Sequence, residues 1–201
     1  MSLGLSTSLS EMKPIVKYDA RAGRFFRIDR ADGVSNPVEI TNGFKAVFDL
    51  ATIEVGYVHF MEGGAPEWAM ARLGQPLPPR PSKEFRQGFR MSIKLPAVLG
   101  GDVREFASAA GCVIAAVDSL HSAYLAAPES KAGKLPIVAM TGASIVKSGQ
   151  STNYAPTLAI IGWVDRATMP AGNGAAPAVA PPVARPAPAQ TVVQPGPNDF
   201  G

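Results

Sequence analysis

The sequence predicts an all-β domain, a small barrel with one helix, followed by a tail that does not fold. Three observations carry this expectation. Short stretches rich in β-branched and aromatic residues recur between turn signals, one longer stretch repeats its apolar residues at helical spacing, and proline is concentrated at the C-terminal end. The chain has 201 residues with 20 Gly and 19 Pro, and residues 168–201 alone hold 8 of the prolines and 4 of the glycines. Residues 1–12 read as a flexible lead, 13–167 as one domain long enough to bury a core, and 168–201 as a disordered Pro/Ala/Gly-rich tail.

Taken in order, Ile15–Tyr18 and Arg24–Arg30 form a short extended pair around the turn DARAG, and Gly33, Asn36 and Pro37 then break the chain. FKAVFDL (44–50) and IEVGYVHFM (53–61) are the next two strands. Residues 62–82, with five prolines, read as a long irregular loop of the kind that carries function. GFRMSIKL (88–95) alternates most cleanly: Phe89, Met91, Ile93 and Leu95 on one face, Arg90, Ser92 and Lys94 on the other. A helix is expected from Val103 to Ala126, capped by Asp102 with Glu105 as its capping-box partner. Its buried face would be Val103, Phe106, Ala110, Val113, Val117, Leu120 and Tyr124. Pro136–Lys147 and Thr157–Arg166 complete the domain as two strands.

Counted from Phe44, the order is three strands, a helix and two strands. An OB-fold has this order, a five-stranded barrel with its helix between strands 3 and 4. The N-terminal strand pair is then an addition.

Several classes of chemistry have no footing. One cysteine, Cys112, excludes an intramolecular disulfide framework and a thiolate zinc site, and the two histidines, His59 and His121, lie far apart. There is no GxxxxGK[ST], GxGxxG or GxSxG, and the carboxylates are scattered. A non-enzymatic protein without metal or cofactor is expected. No stretch has the roughly 18 uncharged apolar residues of a membrane span. The N-terminus MSLGLSTSLSEMKP lacks a charged region ahead of an apolar one, so a cytoplasmic location is expected.

The net charge is only +3, but its distribution is uneven. Six cations lie between Lys13 and Arg30 and five between Arg80 and Lys94, both runs interleaved with aromatics. Cations that track phosphates beside rings on which bases stack are the ingredients of single-strand binding. On this reading Arg86, Arg90 and Lys94 contact phosphates, with Lys17, Arg24 and Arg27 extending the track. Tyr57, Trp68, Phe85 and Tyr154 are the candidate stacking rings, whereas Phe89 and Trp163 belong to the core. In the tail, PNDFG places Asp199 and Phe200 on a tether that a basic-rimmed apolar pocket of a partner could capture.

LGQPLPPRPSKEFRQGFRMSI (73–93), LGGDVREFASAA (99–110) and STNYAPTLAIIGWVDR (151–166), followed by the Pro/Ala/Gly tail, resemble bacterial and phage single-stranded DNA-binding proteins. The resemblance implies an OB-fold, non-catalytic coating of exposed single strands during phage or prophage DNA replication or recombination, and recruitment of replication or repair partners by the tip. The tip departs from the pattern in having one acid where cellular relatives carry several, and a glycine after the phenylalanine. The rival expectation is a phage structural or assembly protein that self-associates through its β domain without DNA specificity. Homo-oligomerisation is compatible with both.

Overall fold

Alternation of side chains dictates the first hairpin. β1 (Ile15–Asp19) and β2 (Arg24–Ala31) pair antiparallel, with Tyr18 opposite Phe25 and Lys17 opposite Phe26. Tyr18 and Phe25 therefore point into the core and their neighbours away from it. The expected break at residues 33–37 is instead a strand, β3 (Val34–Glu39), which pairs with β2. It occupies one end of the sheet order, where the missing N–H of Pro37 is tolerated. The computed structural model describes residues 14–31, 34–61, 65–148 and 150–169. The chain divides into two units, Met1–Pro170 and Ala171–Gly201. The expected lead and tail, with the Asp199 and Phe200 tip, lie outside the described residues apart from Thr168 and Met169.

β4 (Lys45–Phe48) and β5 (Glu54–His59) both run antiparallel along one side of β7 (Arg86–Lys94). They are one strand interrupted by the 3-10 turn at Leu50–Thr52. The stretch expected to be an irregular loop contains β6 (Glu67–Arg72), which pairs with β5, so Trp68 sits on a strand. The expected helix is also shorter at its start. Residues Val103–Ser108 form β8, antiparallel to β7 and parallel to β1. The helix α1 begins at Gly111 and ends at Ala126. Phe106 and Ala110 fit a helical face, but Arg104, Phe106 and Ser108 also alternate at period two, and pairing on both sides selected the strand. Asp102 accordingly caps nothing and accepts a hydrogen bond from Arg104 at 3.0 Å. A single turn, α2 (Pro128–Lys131), leads into β9 (Leu135–Ser148) and β10 (Ser151–Val164), a hairpin longer than expected.

The sheet order is β10-β9-β4-β7-β8-β1-β2-β3, with β5 and β6 branching from β7. The protein is thus mostly β-sheet with one main helix. Its core is aromatic. Phe25 stacks on Phe44 with centroids 3.8 Å apart, and Phe48, Phe89 and Phe106 meet edge to face. Val113, Val117, Leu120 and Tyr124 of α1 are buried against this cluster, with Cys112 packed beside them as expected. Among the described residues, no helix is long and apolar enough to cross a membrane.

Two ion-paired clusters link segments far apart in the chain. Arg104, only 7% exposed, bonds Asp29 at 2.7 Å, Asp102 at 2.9 Å and the Ile28 carbonyl at 3.0 Å. Burial acts to raise the Asp29 carboxyl, but hydrogen bonds and charge from Arg104 and Arg27 outweigh it and hold the group below its ordinary range. At the other cluster Arg166 binds both oxygens of buried Asp49, at 2.9 and 2.8 Å, which raises the pKa of the guanidinium further.

Candidate nucleic-acid interface

Directly opposed residues in a ladder share a face, so the registers of β5, β6 and β7 define a side-chain map. Three rows cross this ribbon on its outer face: Trp68, Val58 and Arg86; Met70, Gly56 and Gly88; Arg72, Glu54 and Arg90. The middle row explains the geometry of the other two. A Cβ on Gly56 would lie 2.2 Å from the Ala69 carbonyl oxygen, and one on Gly88 would lie 2.7 Å from that of Ser108. Backbone approaches this closely, so only glycine fits, and the row carries no side chain there beyond Met70. Across that gap the Arg90 guanidinium lies 5.4 Å from the centre of the Trp68 ring while pairing with Glu54. Phe60 meets the edge of the same indole at 5.9 Å. A cation held over an aromatic face is attracted by the ring quadrupole. Trp68 is half-buried and Arg86 is exposed. Arg86 forms no ion pair with a described residue.

The outer face continues beyond the ribbon. Arg90 is opposite Ala107 of β8, Lys94 is opposite Val103, and Ile15, two residues before Lys17, lies beside Glu105. Lys17 therefore falls on the same face as Arg90, about two strand spacings or ~10 Å away. Phe26 lies next to it. Lys94 donates to the Thr168 carbonyl at 2.5 Å. With Lys45 it rims a depression of about 550 Å3 floored by Val47, Ile137 and Ile161. The acids Glu54, Glu105 and Glu39 lie among these cations.

The ten expected contact residues therefore separate. Trp68, Arg86 and Arg90 come together, and Lys94 and Lys17 share their face. Arg24 is also on the outer face but is paired with Glu39 at 2.7 Å. Arg27 is not on it: it faces the core side opposite Val16, bonding Asp29 at 2.8 Å and the Leu99 carbonyl at 2.8 Å. Phe85, expected as an exposed ring, is 8% exposed and lies 5.5 Å from His59. It shares parity with Gln87 and Phe89, so exposing Arg86 turns Phe85 inward. Tyr57, opposite Gln87 and Ala69, lies on the reverse side of the ribbon from Trp68. Tyr154 is half-buried near the β1–β2 turn, where its carbonyl accepts the Tyr18 hydroxyl at 3.0 Å. Burial, with smaller effects of Cys112 and Asp19, pushes that hydroxyl up to about 12.

Sequence reasoning missed two residues of this face, Phe26 and Lys45. Both were legible in alternation, since Phe25 inward sends Phe26 outward and Phe44, Ala46 and Phe48 inward send Lys45 outward. Three of the scattered carboxylates have separate partners: Asp49 binds Arg166, Glu54 binds Arg90 and Asp102 binds Arg104. No group of metal-ligating side chains occurs among the described residues. No protein-family model, curated protein or solved structure matches the chain.

Proposed function

We propose that the chain binds single-stranded DNA on the outer face of β7 and its neighbours, coating exposed strands during replication or recombination without chemistry of its own. The observation that carries this reading is Trp68 held under Arg90 and flanked by exposed Arg86 on the same face. A base stacks on such a ring, and the arginines meet the phosphates on either side. Single strands are favoured over duplex because a stacking ring needs an unpaired base face. The sheet order supports an OB-fold as the framework. With β4 and β5 counted as one strand, the order β10-β9-β4-β7-β8 is the barrel order 5-4-1-2-3, with α1 between strands 3 and 4. In place of closure between strands 3 and 5, β1 adds to the edge of β8.

Fluorescence titration of labelled oligo-dT and of a duplex of equal length, at several salt concentrations, tests the proposal. Tighter binding to the single strand, weakening steeply with salt, is expected. Equal binding to both, or none to either, rejects it. An oligo-U titration run in parallel separates DNA from RNA preference.

A further inference from the structure

The β9–β10 hairpin extends beyond the sheet that supports it. β4 pairs with β9 at residues 137–139, and the last bond on that side is from the Met140 N–H to the Phe44 carbonyl at 3.2 Å. Beyond it, no described strand pairs with the outer side of residues 141–148. Residues 141–147 are exposed, including Ile145 at 65% and Val146 at 38%.

The two edges of this arm differ. Tyr154 of β10 faces Ile145, and its N–H points away from β9 to the Ala20 carbonyl at 2.7 Å. Pro156, two residues on, turns the same way and has no N–H to offer, so the β10 edge is covered and blunted. In an antiparallel ladder both members of a non-bonded pair turn their peptide groups outward. Ile145 therefore directs its N–H and C=O to the free edge of β9, and so do Ala143 and Lys147. That edge has no proline, and Lys147 is the only charged residue between Pro136 and Val164.

We propose that this edge pairs with the same edge of a second copy of the chain, antiparallel about a twofold axis at Ile145. Such an edge is its own complement: Ile145 bonds reciprocally with its mate, and Ala143 faces Lys147 in both directions. The axis keeps the two Lys147 ammonium groups apart, so no like charges are opposed. Charge also decides against nucleic acid as the occupant, because one cation in the arm cannot track phosphates. An edge of eight residues spans about 27 Å. It falls short of the about 800 Å2 per partner of a standard interface, so the dimer is a concentration-dependent one.

The test uses the full chain with Cys112→Ser to remove the native thiol. Ile145→Cys places two thiols across the axis at a Cα separation of about 5.5 Å, within disulfide reach. Mild oxidation should convert most of it to a covalent dimer. Lys147→Cys, whose mates lie about 14 Å apart along the strands, should remain monomeric on the same gel. Ala143→Pro removes an outward N–H without touching the β9–β10 ladder. It should weaken dimerisation in sedimentation equilibrium at least tenfold with an unchanged circular dichroism spectrum. Equal cross-linking at positions 145 and 147, or a parent chain monomeric at its highest soluble concentration, overturns the proposal. If Ala143→Pro does not fold, the two cysteine variants still decide.

Discussion

Two basic stretches of similar composition, residues 13–30 and 80–94, divide differently between the two faces of the sheet. In the first, Arg27 is turned to the core side and held by Asp29 and the Leu99 carbonyl, Arg24 is paired with Glu39, and Phe25 is wholly buried. In the second, Arg86, Arg90 and Lys94 all stay on the outer face, Arg86 and Arg90 near Trp68 and Lys94 four residues beyond Arg90 along β7. Charge density along a chain therefore does not identify a binding surface. What decides first is the parity of each cation in its strand, because Arg24 and Arg90 both pair with a glutamate on the outer face and Lys94 donates to the Thr168 carbonyl, yet all three stay on that face while Arg27 does not.

This contrast can be broken most forcefully at Phe25. Phe25→Ala should cost about 3–5 kcal/mol in urea unfolding, as a large buried aromatic removed from a stacked pair. Phe26→Ala, one residue on and facing outward, should cost about 1 kcal/mol or less. Equal costs would refute the assignment of faces. Next in size, Arg104→Ala leaves Asp102 and the Ile28 carbonyl without their partner and Asp29 with Arg27 alone, and should lose about 3 kcal/mol. Its ability to bind oligo-dT below the unfolding midpoint should be unchanged.

Trp68→Ala reverses that pattern. It should weaken oligo-dT binding by about 1–3 kcal/mol with little change in the unfolding midpoint. A loss of stability instead would show that the indole serves only to anchor β6. Arg86→Ala should reduce the salt slope of binding by about 0.7, the share of one phosphate contact on a single strand. Arg27→Ala should leave that slope unaltered and reduce stability by about 1 kcal/mol. The smallest effect is on pH dependence. The Asp29 carboxyl titrates below its ordinary 3.8 in the folded protein, so its stabilisation is present above that value. Stability should fall as pH drops below about 4, and Asp29→Asn should flatten that part of the profile, read as urea midpoint against pH.

Much of the sheet was legible because period-two alternation is a local property. GFRMSIKL announced β7 and both its faces, and FKAVF announced β4. The reading failed where two periods coincide or where pairing is non-local. REFAS satisfies helix and strand spacing alike, and only its position between β7 and β1 made it a strand. EWAMAR lacked a clear pattern because Trp68, Ala69, Met70 and Ala71 are all half-buried, with neither face fully covered, and β6 is paired on one side only. The candidate site divided the same way. Arg90 and Lys94 could be placed outward from their own strand, whereas Arg86 lay outside the expected strand, and nothing local tells that Trp68 lies under Arg90.

By itself, then, the sequence determined an all-β domain with one main helix, the alternation that sorts Phe25 from Phe26, and the outward parity of Arg90 and Lys94. These follow from side-chain period and local propensity. Only the tertiary structure decided that β4 and β5 act as one interrupted strand, that β1 pairs parallel with β8, and that a row of two glycines brings Arg90 onto Trp68. The physical reason is that strand partners and register are chosen by residues far apart in the chain. Close packing across those pairs, such as the Gly56 approach to Ala69, has no trace in either strand alone.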